Sequence, residues 1–179
     1  MERNFHPPAP NRLWVVDLTY VPMAGGGFSY TAFVIDAFAR YIAGWKVAGH
    51  MRASLALDAL EMAVSARFRA GQAAAGLVHH SDRGSQYLSI AYTRRLAEAG
   101  AVASVGSKGD SYDNALAETV IGLYKAELIT RHGLWSGTGH VEAATAWWVS
   151  WFNNRRLLRP IGGIPPAEYE RNWAEGQAP

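Results

Sequence analysis

The first third of the chain alternates apolar runs with short turns. Residues 13–21, LWVVDLTYV, are dense in β-branched and aromatic side chains, as are residues 28–39 and 41–47. This composition predicts three strands. Three glycines end the segment 23–27 between the first two strands. Strands joined by such short connections predict an antiparallel meander at the start of the domain.

The apolar periodicity changes to that of helices in the middle of the chain. Residues 54–69 are predicted to form one amphipathic helix. Its apolar positions at helical spacing are Leu57, Leu60, Val64 and Phe68. Residues 76–80 and 101–105 are predicted to form short strands on either side of a helix at 89–99. This strand–helix–strand order implies parallel neighbours in the sheet.

Two longer helices follow the last predicted strand. They cover residues 111–129 and 141–154, and a loop with two glycines at 106–110 precedes the first of them. Five strands and these helices together predict an α/β fold, a mixed five-stranded sheet flanked by helices.

Prolines set the predicted domain boundaries. Residues 1–11 carry three of them and are expected to form an extended N-terminal arm. Residues 12–157 are expected to form the core. Residues 158–179 are a Pro-rich C-terminal segment with a short helix.

Composition and charge exclude several classes of protein. The chain has no cysteine, which excludes disulfide frameworks, thiolate zinc sites and cysteine nucleophiles and suits a reducing cytoplasm. It has no run of about 18 apolar residues, so no membrane partner is expected. Seventeen Lys and Arg against fifteen Asp and Glu give a net charge of only +2. A polyanionic partner would therefore be held by local basic patches.

Three carboxylates lie at positions that favour chemistry. Asp17 is in the middle of a predicted strand, where a charge is costly to bury unless it is paired or binds a cation. Asp82 comes where a short strand gives way to a glycine turn, and ligand sites in α/β sheets cluster at such strand ends. Glu118 lies on the 111–129 helix.

The helical wheel places Glu118 on the polar side of its helix. The residues on its face are Ser111, Asn114, Gly122 and Lys125, and those on the opposite face are Leu116, Val120 and Leu123. The helix is thus expected to bury its apolar side and to present Glu118 and Lys125 together.

Carboxylates that converge from separate elements suit hard cations. Mg²⁺ and Mn²⁺ prefer oxygen ligands, and two such ions about 4 Å apart activate a water or hydroxyl at a phosphodiester. The spacing by itself does not identify the site, because fifteen acids give about one pair at the Asp82–Glu118 separation by chance.

Three longer sequence motifs resemble those of a known protein family. They are HSDRGSQY at 80–87, SVGSKGDSYDNALAETVIGLYKAELI at 104–129 and WFNNRRLLRPIGGIPPAEYE at 151–170. Together they resemble bacterial insertion-sequence transposases that are read from two overlapping frames, in the catalytic region of the second frame. That region is similar to retroviral integrases and has a ribonuclease-H-like fold.

The resemblance implies a site and a reaction. Asp17, Asp82 and Glu118 fall on the family's acidic triad, which would hold two Mg²⁺ or Mn²⁺ ions. Water would cut a DNA strand, and the freed 3′ hydroxyl would attack another phosphodiester. The partners implied are transposon ends, target DNA and further copies of the chain, in the bacterial cytoplasm.

The resemblance also implies residues that contact DNA. Asn114 and Lys125 fall on family positions that face DNA in related integrases. Arg83, Lys108 and Arg155 are further candidates for phosphate contacts, although a solvated surface charge is the default for each of them.

The chain departs from the family in two respects. In many relatives a His follows the NxRR run, where this chain has Leu157 and Leu158, so the C-terminal motif is read mainly as structural. The family's helix-turn-helix segments do not fit within residues 1–11, so the chain is expected to be a core fragment or a truncated frame.

Two residue groups have ordinary structural interpretations. His79, His80 and Asp82 suggest zinc only weakly, because no cysteine and no second histidine pair lies nearby; His80 is expected to hold the Asp82 turn. Four aromatic residues near 150 are expected to be a buried helix face rather than a surface that stacks on bases. They are Trp147, Trp148, Trp151 and Phe152.

Two other functions remain open from the sequence. One is a ribonuclease-H-like nuclease that cuts nucleic acid without joining strands. The other is an inactive DNA-binding remnant of a transposase, against which the complete triad argues.

Overall fold

The computed structural model describes residues 7–72, 76–81, 89–105 and 111–176 of the chain. Within these residues five strands form one sheet in the order β3-β2-β1-β4-β5. The strands are β1 (Leu13–Pro22), β2 (Phe28–Asp36), β3 (Tyr41–Ala48), β4 (Val78–Ser81) and β5 (Val102–Val105).

Both predicted strand arrangements are confirmed. β1, β2 and β3 pair antiparallel as a meander, and β4 pairs parallel with both β1 and β5. The described helices are α1 (Ala53–Arg69), α2 (Ile90–Glu98), α3 (Ser111–Tyr124), α4 (Thr130–His132), α5 (Thr138–Asn154) and α6 (Pro166–Ala174). A π-helical turn, Lys125–Ile129, joins α3 to α4, and a 3₁₀ turn, Arg159–Ile161, precedes α6. No helix in these segments is long and apolar enough to cross a membrane.

The sheet is covered on both faces, which gives two apolar cores. One core packs α3 and α5 against the face that carries Val15, Val21 and Phe33. The other packs α1 and α2 against the face that carries Trp14, Val16 and Val34. Because side chains alternate along a strand, consecutive residues of β1 belong to opposite cores.

The approach of α1 to the sheet depends on a glycine in β3. A Cβ atom built on Gly44 would lie 2.2 Å from the carbonyl oxygen of Ala59 and 2.7 Å from the amide nitrogen of Ala63. Both atoms belong to the backbone of α1, so no side-chain movement would relieve the contact. Gly44 therefore sets how closely α1 packs on β3.

Strand β2 ends earlier than the apolar run predicted. The expected strand 28–39 stops at Asp36, whose carboxylate accepts a hydrogen bond of 3.0 Å from the amide of Phe38. Arg40 then adopts a left-handed φ of 59° before β3 begins. This local side-chain bond turns the chain inside an apolar run.

The long helix predicted at 111–129 changes its winding near the end. It is α-helical to Tyr124 and π-helical from Lys125 to Ile129. A π turn inserts an extra residue per turn and is often found near functional sites. No local pattern in the sequence marks this change, because the apolar positions continue through it.

A buried ion cluster ties the C-terminal segment to the core. Arg67 of α1 donates to Glu170 of α6 at 2.7 and 2.6 Å, and to Asp36 at 3.1 Å. The side chains of Arg67 and Asp36 are 6% and 0% exposed. Asn11, in the predicted arm, donates its backbone N–H to Asp36 at 2.8 Å. The division into arm, core and C-terminal segment stays a prediction, but Asn11 contacts Asp36 directly and Glu170 is joined to the same carboxylate through Arg67.

Candidate active site

Asp17 lies on the face of the sheet that α3 covers. Its neighbours at alternate positions, Val15 and Val21, belong to the core formed with α3 and α5. Asp17 itself is half-buried, and its Oδ1 accepts a hydrogen bond of 2.7 Å from the amide of Leu18. The carboxylate is thus partly solvated and oriented by its own backbone.

The parallel pairing of β1 with β4 sets the position of the second predicted acid along the sheet. Ser81, the last described residue of β4, is the register partner of Val16. Asp17 follows Val16 in the chain, and Asp82 follows Ser81. Asp82 itself lies outside the described residues.

Glu118 is on the solvent-facing side of α3, as the helical wheel predicted. Leu116 and Val120 are buried, whereas Glu118 and Gly122 are exposed. α3 packs directly against β1. Glu118 therefore lies on the helix that covers the Asp17 face of the sheet, and it is not buried in the core.

Tyr124 fixes α3 relative to β2 and α5. Its hydroxyl shares hydrogen bonds with Thr31 at 3.2 Å and with Thr145 at 2.8 Å. Its ring meets that of Phe33 edge to face, with centroids 5.0 Å apart. Phe33 is in turn the register partner of Asp17. A continuous set of buried contacts thus links the strand of Asp17 to the helix of Glu118.

The side chain of Lys125 lies near both α3 and β1. Its Nζ lies 4.7 Å from the centroid of the Tyr20 ring, and Tyr20 is on β1. A cation over an aromatic face is electrostatically stabilised. The ammonium therefore has a defined place between α3 and β1, whereas the sequence suggested only its helical face.

Of the other four residues predicted to contact DNA, the structure describes the side chain of one. Arg155 follows α5 and is exposed. Arg83 and Lys108 lie outside the described residues, and so does the side chain of Asn114, whose backbone is in α3. All four stay predictions.

The two histidines of β4 are buried. The Nε2 of His79 and the hydroxyl of Tyr92 share a hydrogen bond of 2.7 Å, and burial lowers the pKa of the His79 imidazole to about 4. His80 is buried beside it. The neutral, buried imidazole of His79 suits a structural part for this strand; the proposed part of His80 in the Asp82 turn stays a prediction.

The aromatic residues of α5 divide between the core and the surface. Trp148 and Phe152 are buried, as predicted for a helix face. Trp147 is 63% exposed and lies parallel to Trp151, with ring centroids 6.3 Å apart. The buried-face interpretation therefore does not extend to Trp147.

Sequence reasoning missed one aromatic pair. Tyr20 and Phe28 are 53% and 48% exposed, with ring centroids 5.1 Å apart. The one available signal was the position of both rings beside the glycine turn, because the alternation of β1 predicts which face Tyr20 is on but not whether a helix covers it.

The two triad carboxylates that lie within the described residues fit a hard divalent cation. Asp17 and Glu118 supply carboxylate oxygens, which Mg²⁺ and Mn²⁺ prefer. Within residues 7–72, 76–81, 89–105 and 111–176 no three His, Asp or Glu side chains form a cluster that could hold a metal ion. A complete ligand set would need Asp82, which is outside these ranges.

Comparison with known families gives two matches to one description. Sequence profiles described as "Integrase core domain" match residues 7–111 and residues 100–166. Together they cover most of the chain.

Two curated relatives are insertion-sequence proteins. The "Putative transposase for insertion sequence element IS986/IS6110" of Mycobacterium tuberculosis (strain ATCC 25177 / H37Ra) is 54% identical over 181 residues, which cover 100% of this chain and 65% of that protein. The "Transposase for insertion sequence element IS629" of Shigella sonnei is 54% identical over 173 residues, which cover 97% of this chain and 56% of that protein. The chain thus spans less than two thirds of the length of these relatives.

Solved structures share the fold at low sequence identity. The HTLV-2 integrase catalytic core domain in complex with magnesium, in its trimeric form, superposes with a TM-score of 0.67. It is 16% identical, and the match covers 90% of this chain and 97% of that chain. Retroviral integrase cores have a ribonuclease-H-like fold, so the predicted fold class is confirmed.

Proposed function

Because the chain belongs to the integrase core domain family, we propose that it is the catalytic core of a bacterial insertion-sequence transposase. It would cut a DNA strand and join the resulting 3′ hydroxyl to a new phosphodiester. The two relatives at 54% identity carry the names "Putative transposase" and "Transposase" of insertion sequence elements, which supports this reaction class.

One structural observation carries the proposal furthest. The β1–β4 register pairs Val16 with Ser81, and each of these residues directly precedes an acid of the predicted triad. The third acid, Glu118, is on the helix that packs on the same face of β1. Asp17, Asp82 and Glu118 are therefore proposed as the ligands of two Mg²⁺ or Mn²⁺ ions.

Such ions, when bound, activate a water or hydroxyl and stabilise the leaving oxygen of a phosphodiester. The chain's own residues would orient the reactants. The Leu18 amide holds the Asp17 carboxylate at 2.7 Å, so this ligand is positioned before an ion binds. Lys125 lies at the junction of α3 and β1 and would contact a phosphate beside the reacting one. Asn114, Arg83, Lys108 and Arg155 are proposed as further DNA contacts.

The proposed partners are transposon ends, target DNA and further copies of the chain in the bacterial cytoplasm. Two DNA ends need two active sites, which favours an oligomer. The rest of a longer protein, of the length of the curated relatives, would add to the recognition of the ends.

The test is a strand-transfer assay on branched DNA that mimics a joined product and carries an unpaired flap at the branch. Wild type with Mn²⁺ should cut or reseal the branch, because this substrate demands little end recognition. Asp17→Asn, Asp82→Asn and Glu118→Gln should each lower the rate by about a hundred-fold or more, since each removes a proposed metal ligand.

Asp58→Asn, at an exposed position on α1, is the matched control and should keep the wild-type rate. Full activity of a triad variant would contradict the site. Cutting without joining would favour the ribonuclease-H-like nuclease, and DNA binding with neither step would favour the inactive remnant.

A further inference from the structure

The end of the β1–β2 hairpin presents an aromatic surface beside the proposed site. The Tyr20 and Phe28 rings meet edge to face at 79°, and about half of each side chain is exposed. They are diagonal neighbours, since Tyr20 pairs with Tyr30 and Phe28 pairs with Pro22. Both lie on the sheet face opposite α3. We call Tyr20, Phe28 and the Lys125 ammonium the hairpin platform.

The platform is preformed by backbone hydrogen bonds. The amide of Met23 donates to the carbonyl of Gly27 at 3.1 Å, and that of Gly26 donates to the carbonyl of Met23 at 3.0 Å. The amide of Ala24 donates to the carbonyl of Trp135 at 2.9 Å, which anchors the turn to the segment before α5. The backbone that carries the two rings is therefore fixed without a ligand.

The cation of the platform is available to an anion. Within the described segments of the chain Lys125 takes part in no salt bridge. Its Nζ sits 4.7 Å from the Tyr20 centroid. A ring holds one side of an ammonium group, and the remaining N–H donors can reach a phosphate oxygen.

The hairpin platform is close in the chain to two acids of the proposed triad, Asp17 and Glu118. Tyr20 is three residues after Asp17 on β1, and Lys125 is seven residues after Glu118. The described pairing of β4 with β1 ends at Val16. Residues 17–22 of β1 therefore continue past the last described residue of β4. Asp17 and Tyr20 alternate onto opposite faces of β1, but Lys125, which follows α3 on the Asp17 side, also contacts the Tyr20 ring. A strand of DNA whose phosphodiester lies at Asp17 would therefore pass Lys125 around this side of β1 to bring a neighbouring nucleotide to Tyr20.

From these observations we infer that the hairpin platform binds an unpaired nucleotide next to the reacting phosphodiester, with the base against Tyr20 and Phe28 and the phosphate on Lys125. Exposed rings bind bases of any sequence through their π faces, and a nearby cation supplies the complementary charge. A base inside a duplex is already stacked, so the platform selects a base that is unpaired or flipped out. The inference deepens the proposed function and rests on it.

The experiment measures coupling between a protein ring and a DNA base. Binding of the branched DNA is measured by fluorescence anisotropy without divalent metal, so that no chemistry changes the substrate. Each unpaired flap position is replaced in turn by an abasic nucleotide, and fully duplex DNA of the same length is the comparison. The proteins are wild type, Tyr20→Ala, Phe28→Ala and Lys125→Met, with Phe68→Ala, at an exposed phenylalanine of α1, as the matched control.

At one flap position, removal of the base should weaken wild-type binding about five-fold or more. Tyr20→Ala and Phe28→Ala should weaken binding of the intact flap by a similar factor and should be insensitive to removal of that base. Tyr20→Phe and Phe28→Tyr keep the rings and should restore the sensitivity. Lys125→Met should weaken flap and duplex binding alike and lower the salt dependence by about one phosphate contact.

Equal losses on base removal in wild type and in both ring variants would overturn the inference. Equal losses of duplex and flap binding in Tyr20→Ala and Phe28→Ala would indicate a general surface effect and would also overturn it. So would a lack of DNA binding by wild type. Cutting and joining are scored separately with Mn²⁺. Chemistry without ring–base coupling refutes the platform alone, and coupling without metal-dependent chemistry refutes the proposed function alone.

Discussion

Val16 and Ser81 are register partners in the parallel pair of β1 and β4. The pairing joins two segments that are 65 positions apart in the chain, and each partner directly precedes a predicted acid. Parallel strands run in the same direction, so residues that follow paired positions leave at the same end of the sheet. This relationship gives the strongest physical reason to test Asp17 and Asp82 together.

Metal binding should stabilise the folded chain through these acids. We expect Mn²⁺ to raise the thermal unfolding midpoint of wild type, by about 1.4 kcal/mol of stability at about ten times the dissociation constant. That is a shift of a few degrees for a domain of about this size. Asp17→Asn and Asp82→Asn should lose the shift, and Asp58→Asn should keep it. A full shift in the first two variants would show that the ion binds elsewhere.

Gly44→Ala should destabilise the fold by about 3 kcal/mol, because the new methyl group would overlap backbone atoms of α1. Chemical denaturation measures this directly. Gly122→Ala is the matched control: apart from the backbone of its own helix and its chain neighbours, no described atom lies within 4 Å of its Cβ position, and it is inside α3. That variant should be more stable than wild type by up to about 1 kcal/mol, from helix propensity. Similar values for the two variants would contradict the close approach of α1 to β3.

Removal of the Arg67 guanidinium should lower the free energy of unfolding substantially. Arg67→Met leaves two carboxylates, Asp36 and Glu170, without their shared cation in a buried place, and a loss of about 3–5 kcal/mol is expected. Arg94→Met removes a pair with Glu98 that is solvent-exposed on α2 and should cost less than about 0.5 kcal/mol. Unfolding in urea, followed by tryptophan fluorescence, compares the two. Equal losses would mean that the buried cluster does not hold α6 to the core.

The stability of the chain should depend on His79 in mildly acidic solution. Burial lowers the pKa of this imidazole to about 4, below the ordinary value of 6.5, so the unfolded chain binds more protons between those values. Stability from this group is complete above about pH 6.5 and is lost as the pH falls towards 4. Between pH 7.5 and 5.5 the expected loss is about 1 kcal/mol.

Asp36 acts in the opposite direction, so the measurement must compare two proteins. Burial raises the pKa of its carboxyl to about 6, against the effect of Arg67, and the folded chain therefore gains stability from this group as the pH falls through 6 towards 3.8. His79→Gln keeps a polar partner for Tyr92 and removes the titration. The free energy of unfolding of wild type minus that of the variant should fall by about 1 kcal/mol between pH 7.5 and 5.5. Parallel curves for the two proteins would contradict the prediction.

Local composition and periodicity were sufficient to predict the strands and helices and the faces that they bury. The five strands, their mixed pairing and the polar side of α3 with Glu118 follow from local composition and periodicity, since these reflect interactions between residues close in the chain. The acidic triad was reached through sequence motifs and stays a prediction, because Asp82 lies outside the described residues.

Contacts between segments distant in the chain, and the exposure of individual side chains, depend on the complete fold. Tyr20 and Trp147 occupy ordinary positions in apolar patterns, and only the packing of helices on the sheet leaves them exposed. Lys125 meets Tyr20 across 105 positions, and Arg67 meets Glu170 across 103. No local pattern encodes such pairs, because their energy depends on the burial and distance that the complete fold creates.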